Sequence, residues 1–251
     1  MNIHILTIFP ELFECVRQSG IIKISEERNA ARLYIHNLRD FTEDRHRTTD
    51  DTPYGGGAGM VMLAKPVLTG ISQIESRFGK TYKVLLTPQG ETFNQHIAHF
   101  LSKKEQLLFI PAHYEGMDER VVSAVDMELS VGDFILSGGE VAVLLVMDAV
   151  VRLLPNVLGN RESLYEESFE SQLLEYPQYT RPRSINNEDV PDVLLSGHHE
   201  NIRKWRLKES IKRTLVKRPD LILKHRFTDE EKALLKEVLE EVNKTAKEIL
   251  K

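Results

Sequence analysis

The chain has 251 residues and a formal net charge of −5, with 33 Lys and Arg against 38 Asp and Glu. Its single cysteine, Cys15, excludes an internal disulfide and a zinc-finger array and suits a reducing cytoplasm. The longest apolar run, residues 141–154, is broken by Asp148 and Arg152 and is too short for a membrane span, and Met1–Ile8 is too short for a signal peptide.

The apolar, β-branched segment Asn2–Ile8 predicts a buried first strand. Pro10 then opens a helix where proline is tolerated, Gly20 breaks it, and Ile21–Arg28 continues as a second helical piece. Alternation over Arg32–Leu38 predicts strand two. The long polar segment Arg39–Tyr54 carries Arg45, His46, Arg47 and Asp50 and ends in Gly55-Gly56-Gly57-Ala58-Gly59-Met60. A basic cluster beside a glycine loop can approach phosphates. Neither the dinucleotide-binding nor the P-loop glycine spacing occurs in the chain.

Pro66–Phe78 predicts a helix, and Tyr82–Thr87 a strand running into Pro88-Gln89-Gly90. Thr92–Ser102 predicts a helix, Gln106–Ile110 a strand ending in Pro111-Ala112-His113-Tyr114-Glu115-Gly116, and Asp118 caps a helix through Val125. Met127–Ser130 leads into Val131-Gly132-Asp133-Phe134-Ile135-Leu136-Ser137-Gly138-Gly139, and Glu140–Leu154 is a helix apolar on nearly every side. Strand-helix alternation of this kind gives an α/β fold, a parallel sheet with helices on both faces. Ligands of such sheets bind beyond the carboxyl ends of strands, where three loops here converge. Taken singly, the 131–139 loop could equally be a plain strand-to-helix turn.

After Pro155 the character changes. Residues 159–171 are polar and rich in glutamate, a linker or lid, and the proline-bearing stretch Tyr176–Pro191 resists regular structure. Asn201–Val216 reads as a basic helix containing Trp205. Thr228, with Glu231 three residues on, signals a capping box for a last helix whose stripe is Leu234, Leu235, Val238, Leu239 and Val242. The chain thus divides into an α/β domain over 1–158, a linker over 159–175 and a small all-α domain over 176–251. Basic residues concentrate between His198 and Arg226, a basic face on an acidic body that suits nucleic acid. His198 and His199 lack a third ligand at suitable spacing, so no metal site is expected.

Together, Tyr54–Met60, Thr87-Pro88-Gln89-Gly90, Tyr114–Arg120, Val131–Glu140, Tyr179-Thr180-Arg181-Pro182 and Ser196–Arg206 resemble, in order and end to end, the bacterial tRNA guanine-N1 methyltransferases of the knotted SPOUT class. The resemblance implies a deep trefoil knot in the α/β domain, a homodimer whose knots pack together, and S-adenosylmethionine as methyl donor. Its donor pocket carries over onto Leu86, Gln89, Ala112, Tyr114, Glu115, Gly116, Ser130, Val131, Gly132, Phe134, Ile135, Leu136, Gly138 and Gly139. Ala112 stands where the family usually has glycine, which is tolerable if its φ stays negative.

The resemblance also implies attack by guanine N1 on the donor's methyl, for which a general base must take the N1 proton. The family's aspartate before Ser-Phe matches Glu167, with Glu166 as fallback. Arg152 matches an arginine that stabilises charge developing on guanine O6, although Asp148, four residues earlier, also suits an ordinary helix ion pair. For tRNA the resemblance implies Arg45, His46, Arg47, Asp50, Arg181, His198, His199, Arg203, Lys204 and Arg206. Loosely held magnesium, shared with RNA or substrate, is implied as well. The expected reaction is methylation of N1 of the guanosine immediately 3′ of the anticodon. The alternatives are a knotted methyltransferase with another RNA target and a non-catalytic RNA-binding or ribosome-assembly protein on the same fold.

Overall fold

The structure, a computed structural model, describes residues 1–159 and 167–249. The chain forms two compact units, Met1–Gly159 and Asn160–Lys251. The first is built on a five-stranded sheet of β1 (Asn2–Thr7), β2 (Arg32–Asn37), β5 (Tyr82–Thr92), β6 (Gln106–Pro111) and β7 (Met127–Ser130). Their order is β2-β1-β6-β5-β7 and all pairs are parallel.

Side chains alternate between the two faces, as the period of a strand requires. Ile3, Ile5, Val84, Leu86, Leu107 and Phe109 point into one core, shared with α1 (Pro10–Arg17), α2 (Gly20–Glu27), α4 (Gln95–Ser102) and α5 (Glu140–Val151). Leu6, Leu85, Leu108 and Ile110 point into the other, covered by α3 (Ala64–Phe78) and a 3-10 turn at Glu119–Ala124. Burial on both faces explains why these strands read as continuous apolar runs.

Several boundaries differ from the sequence expectation. The strand expected to stop at Thr87 continues to Thr92: residues 87–90 bulge out between the pairs Leu86–Leu129 and Glu91–Leu129, and pairing with β7 resumes. Gly90 makes the bulge possible, because a Cβ there would fall onto the backbone of Glu128 and Leu129. The next helix therefore begins only at Gln95, capped by the Asn94 side chain accepting from the Ile97 N–H at 3.1 Å. The segment after Asp118 is 3-10 rather than α-helical. The polar segment 39–54 starts within a 3-10 turn at Leu38–Phe41 and carries β3 (Asp50–Asp51), which forms a short antiparallel ladder with β4 (Val61–Met62).

The second unit has its own small core of Leu173, Ile211, Leu234 and Val238, joining the helices His199–Lys217 and Asp229–Ile249. It is not purely helical, since Ser184–Ile185 pairs antiparallel with Glu188–Asp189 where the prolines argued against regular structure. The described part of the segment expected as a linker folds into this unit. Leu173 lies in its core, and the Leu174 N–H donates to Thr214 Oγ1 at 2.8 Å. The capping box forms as expected: Thr228 N–H donates to Glu231 Oε2 at 2.7 Å and Glu231 N–H to Thr228 Oγ1 at 3.3 Å.

Candidate active site

Beyond the carboxyl ends of β6 and β7 and beside the bulge of β5, the first unit forms a crevice of about 320 Å³, within the roughly 300–1,000 Å³ of small-molecule sites. Every residue named above for the donor pocket, from Leu86 to Gly139, lines it. The β5 bulge supplies Pro88 and Gln89 to one wall. After β6 the chain turns at Tyr114 and Gly116, whose φ values are 58° and 134°. After β7 the Gly132 N–H donates to Ser130 Oγ at 3.2 Å and the Phe134 N–H to the Gly132 carbonyl at 3.0 Å, a tight turn needing the φ of 143° at Gly132.

These loops are tied to one another by main chain. The Ala112 N–H donates to the Leu86 carbonyl at 3.2 Å and the Gly139 N–H to the Ala112 carbonyl at 2.6 Å, while His113 and Gly138 form an antiparallel bridge. Ala112 keeps a negative φ, the condition under which alanine is tolerable there. The glycine loop at 55–59 docks beside them: the Glu115 N–H donates to the Met60 carbonyl and the Met62 N–H to the Gly116 carbonyl, each at 2.9 Å. Tyr114 lies against Asp50 and Arg39. Burial and the hydrogen-bonded Asp50 carboxylate push its phenol up, with Arg39 opposing.

Two neighbouring residues carried no role in the sequence expectation, His113, which lines the crevice, and Glu140 behind it. Glu140 is buried, and its Oε2 lies 3.2 Å from His113 Nδ1. The available signal was an acidic residue in the first turn of an otherwise apolar helix, directly after two glycines.

Among the catalytic candidates, Arg152 is the half-buried carboxy-terminal cap of α5 in the first unit. Glu167 belongs to the second, in a segment where the Glu170 N–H donates to the Glu167 carbonyl at 3.3 Å. Glu166 lies outside the described residues. Arg45 and His46 sit on an exposed turn held by Asp44, which accepts from the His46 and Thr48 N–H groups at 2.9 Å. Hydrogen bonds to Thr48 and His46 hold the Asp44 carboxyl below its ordinary value. Arg47 pairs with Asp40 at 3.4 Å. In the second unit Arg181, His198 and His199 are exposed, and Arg206 lies 4.7 Å over the Tyr176 ring.

The basic helix is less free than its composition suggests. Arg203 is clamped by Glu200 at 2.9 Å and by Glu230, Lys204 reaches Glu200 at 3.7 Å, and Lys208 pairs with both Glu237 and Glu241 at 2.8 Å. The clamping carboxylates raise the Arg203 pKa above its ordinary value. Arg203 and Lys204 thus stand at an exposed surface but share their charge with acidic neighbours.

A parallel α/β sheet with a glycine-lined crevice at its strand ends has the arrangement at which proteins of the open α/β class bind their ligands. The comparisons with known proteins narrow this. Residues 1–224 match the family described as tRNA (Guanine-1)-methyltransferase TrmD. A tRNA (guanine-N(1)-)-methyltransferase of Syntrophomonas wolfei is 51% identical over 239 residues, 95% of this chain and 97% of the relative. That of Dictyoglomus turgidum is 49% identical over 242 residues, 96% of this chain and 98% of the relative. The crystal structure of the tRNA (m1G37) methyltransferase from Aquifex aeolicus superposes with a TM-score of 0.73 at 42% identity, covering 89% of this chain and 95% of that one. The chain belongs to the tRNA (guanine-1)-methyltransferase family and is an enzyme of that kind.

Proposed function

We propose that the chain transfers a methyl group from S-adenosylmethionine to N1 of the guanosine immediately 3′ of the anticodon, with Glu167 as general base and Arg152 as the cation facing O6. The observation that carries this reading is the crevice. The glycines at 138 and 139 line the cavity and stand where any Cβ would meet backbone or polar side-chain atoms, so loop main chain comes to the surface of the cavity between apolar walls. Such a lining fits an adenosyl group, whose ring edge takes main-chain hydrogen bonds and whose faces take apolar contacts. Leu86, Tyr114, Gly116, Gly132, Leu136 and Gly139 would hold it. When bound there, S-adenosylmethionine supplies an electrophilic methyl group.

The remaining work falls to this chain's residues. A carboxylate at Glu167 takes the guanine N1 proton, and the Arg152 guanidinium balances negative charge building on the base. Phe134, Ile135 and Leu136, all exposed on the loop, shield the reacting atoms from water.

We further infer a knot and a homodimer. The main-chain contact of Gly139 with Ala112 supports the knot, since it brings the loop before α5 against the loop after β6. The apolar residues left exposed at the start of α1 and on α5, Phe9 (43%), Leu12 (38%), Val141 (56%) and Leu145 (48%), support a second copy packed on these helices. In that dimer the donor crevice comes from one protomer and the Glu167 segment from its partner. The first unit serves as the donor-binding part and the second as the RNA-binding part, magnesium enters with the RNA, and the enzyme works in the cytoplasm.

Labelled S-adenosylmethionine offered with two tRNA transcripts, guanosine or adenosine immediately 3′ of the anticodon, tests the reading. Transfer to the guanosine transcript alone is expected. Equal transfer to both overturns the target nucleotide, and transfer to neither by folded, donor-binding protein overturns the reaction.

A further inference from the structure

Glu140 stands at the first position of α5 with only 4% of its surface exposed. A carboxylate so buried must be compensated, by hydrogen bonds and by charge. Its Oε1 accepts from the Thr7 hydroxyl at 3.4 Å, and its Oε2 lies 3.2 Å from His113 Nδ1. Thr7 Oγ1 in turn accepts from the Phe9 N–H at 3.0 Å, and the α5 amino terminus favours the negative charge. One side chain therefore ties together the end of β1, the loop after β6 and the loop before α5.

The fit is close on every side. A Cβ on Gly138 would overlap both the His113 ring and the Glu140 carboxylate, and the ring is also held edge-on by Phe9 at 5.1 Å and by Tyr114 at 4.9 Å. An Nδ1–H donated to the carboxylate fixes one tautomer of the imidazole and, through its backbone, the start of the Tyr114-Glu115-Gly116 turn.

We propose that Glu140 and His113 form a positioning pair: the buried carboxylate locks the 112–116 loop onto Gly138 and Gly139 before any ligand arrives, so that the donor crevice is preformed. As the ligand is the methyl donor, the pair's role in binding rests on the function proposed above. Its effect on the ligand-free loops does not.

The test uses His113→Ala, Glu140→Ala, the double variant, and two milder changes. His113→Asn keeps an N–H donor near the Nδ1 position, and Glu140→Gln keeps the shape but loses the charge. Two quantities are measured on the full-length protein: amide hydrogen exchange at 112–116 without ligand, and calorimetric binding of S-adenosylmethionine. Each alanine variant is expected to speed exchange in the loop and to weaken binding roughly 10- to 100-fold, as loss of a partner to a buried charge does. The double variant should bind no worse than either single one, and His113→Asn should stay near wild type. At saturating tRNA, KM for the donor should rise more than kcat falls.

Additive losses, unchanged exchange in a folded alanine variant, or His113→Asn behaving as His113→Ala would each overturn the pair. If Glu140→Ala fails to fold, Glu140→Gln decides: faster exchange with weaker binding supports the pair, and wild-type behaviour overturns it. Wild-type protein that binds no S-adenosylmethionine would overturn the proposed function, and the exchange data would still judge the tie.

Discussion

Gly139 donates its backbone N–H to the Ala112 carbonyl over 2.6 Å, so the loop after β7 lies main chain against main chain on the loop after β6. No side chain fits between them. A Cβ at 139 would stand 2.9 Å from both Ala112 N and Pro111 Cα. Gly139→Ala should therefore leave a folded protein destabilised by about 1–3 kcal/mol, the usual cost of overpacking, with donor binding largely lost. Thermal unfolding and equilibrium dialysis check the two halves, and an alanine variant that binds normally would show that the loops can separate freely.

Glu167→Gln removes the carboxylate and keeps the shape. If Glu167 takes the guanine N1 proton, kcat should fall by about 10²–10⁴, with donor affinity unchanged. Glu166→Gln should do little. A Glu166 variant that loses turnover while the Glu167 variant keeps it would reassign the base.

Much of the first unit was legible because its strands are buried on both faces and flanked by turn residues, which leaves short apolar runs between glycine and proline. The β5 bulge was not legible. Pro88-Gln89-Gly90 reads as a strand terminus, and only pairing with β7 on the far side shows that the strand resumes. The His113–Glu140 pair was hidden for a related reason, since its members are 27 residues apart and meet only when two loops cross. In the second unit composition misled in one respect. A run of lysines and arginines signals a basic surface, yet the carboxylates that clamp Arg203 and Lys208 come partly from the last helix, beyond the reach of a local charge count.

That clamping has a measurable consequence for RNA binding. Counterion release makes log K fall with log salt in proportion to the phosphates neutralised, so removing one phosphate contact lowers the slope by about one. Arg181 is exposed, and Arg181→Gln should show such a drop. Arg203 already shares its charge with Glu200 and Glu230, so Arg203→Gln should change the slope less. Filter binding of tRNA across a salt series separates the two. An equal drop for both would mean that RNA displaces the carboxylates from Arg203.

Stability should also depend on pH through a site far from catalysis. His4 is fully buried on β1, stacked on Tyr34 at 4.8 Å, with its Nδ1 3.0 Å from His36 Nε2. Burial, and then the neighbouring His36, lower its pKa from the ordinary 6.5 to about 4, against a smaller opposing effect of Gln106. Burial and Arg77 lower that of His36 too. The unfolded chain therefore binds protons that the folded one refuses. The stability from the neutral pair is complete above about pH 6.5 and drains away as the pH falls towards 4, where His4 charges in place. A shift of this size corresponds to roughly 3 kcal/mol. Urea unfolding at intervals between pH 7 and pH 4 should show this loss, before most carboxylates titrate. His4→Phe keeps an aromatic ring against Tyr34 and Phe78 and removes the titrating group, so its stability should be much flatter over the same range. A variant as acid-sensitive as wild type would move the effect to other groups.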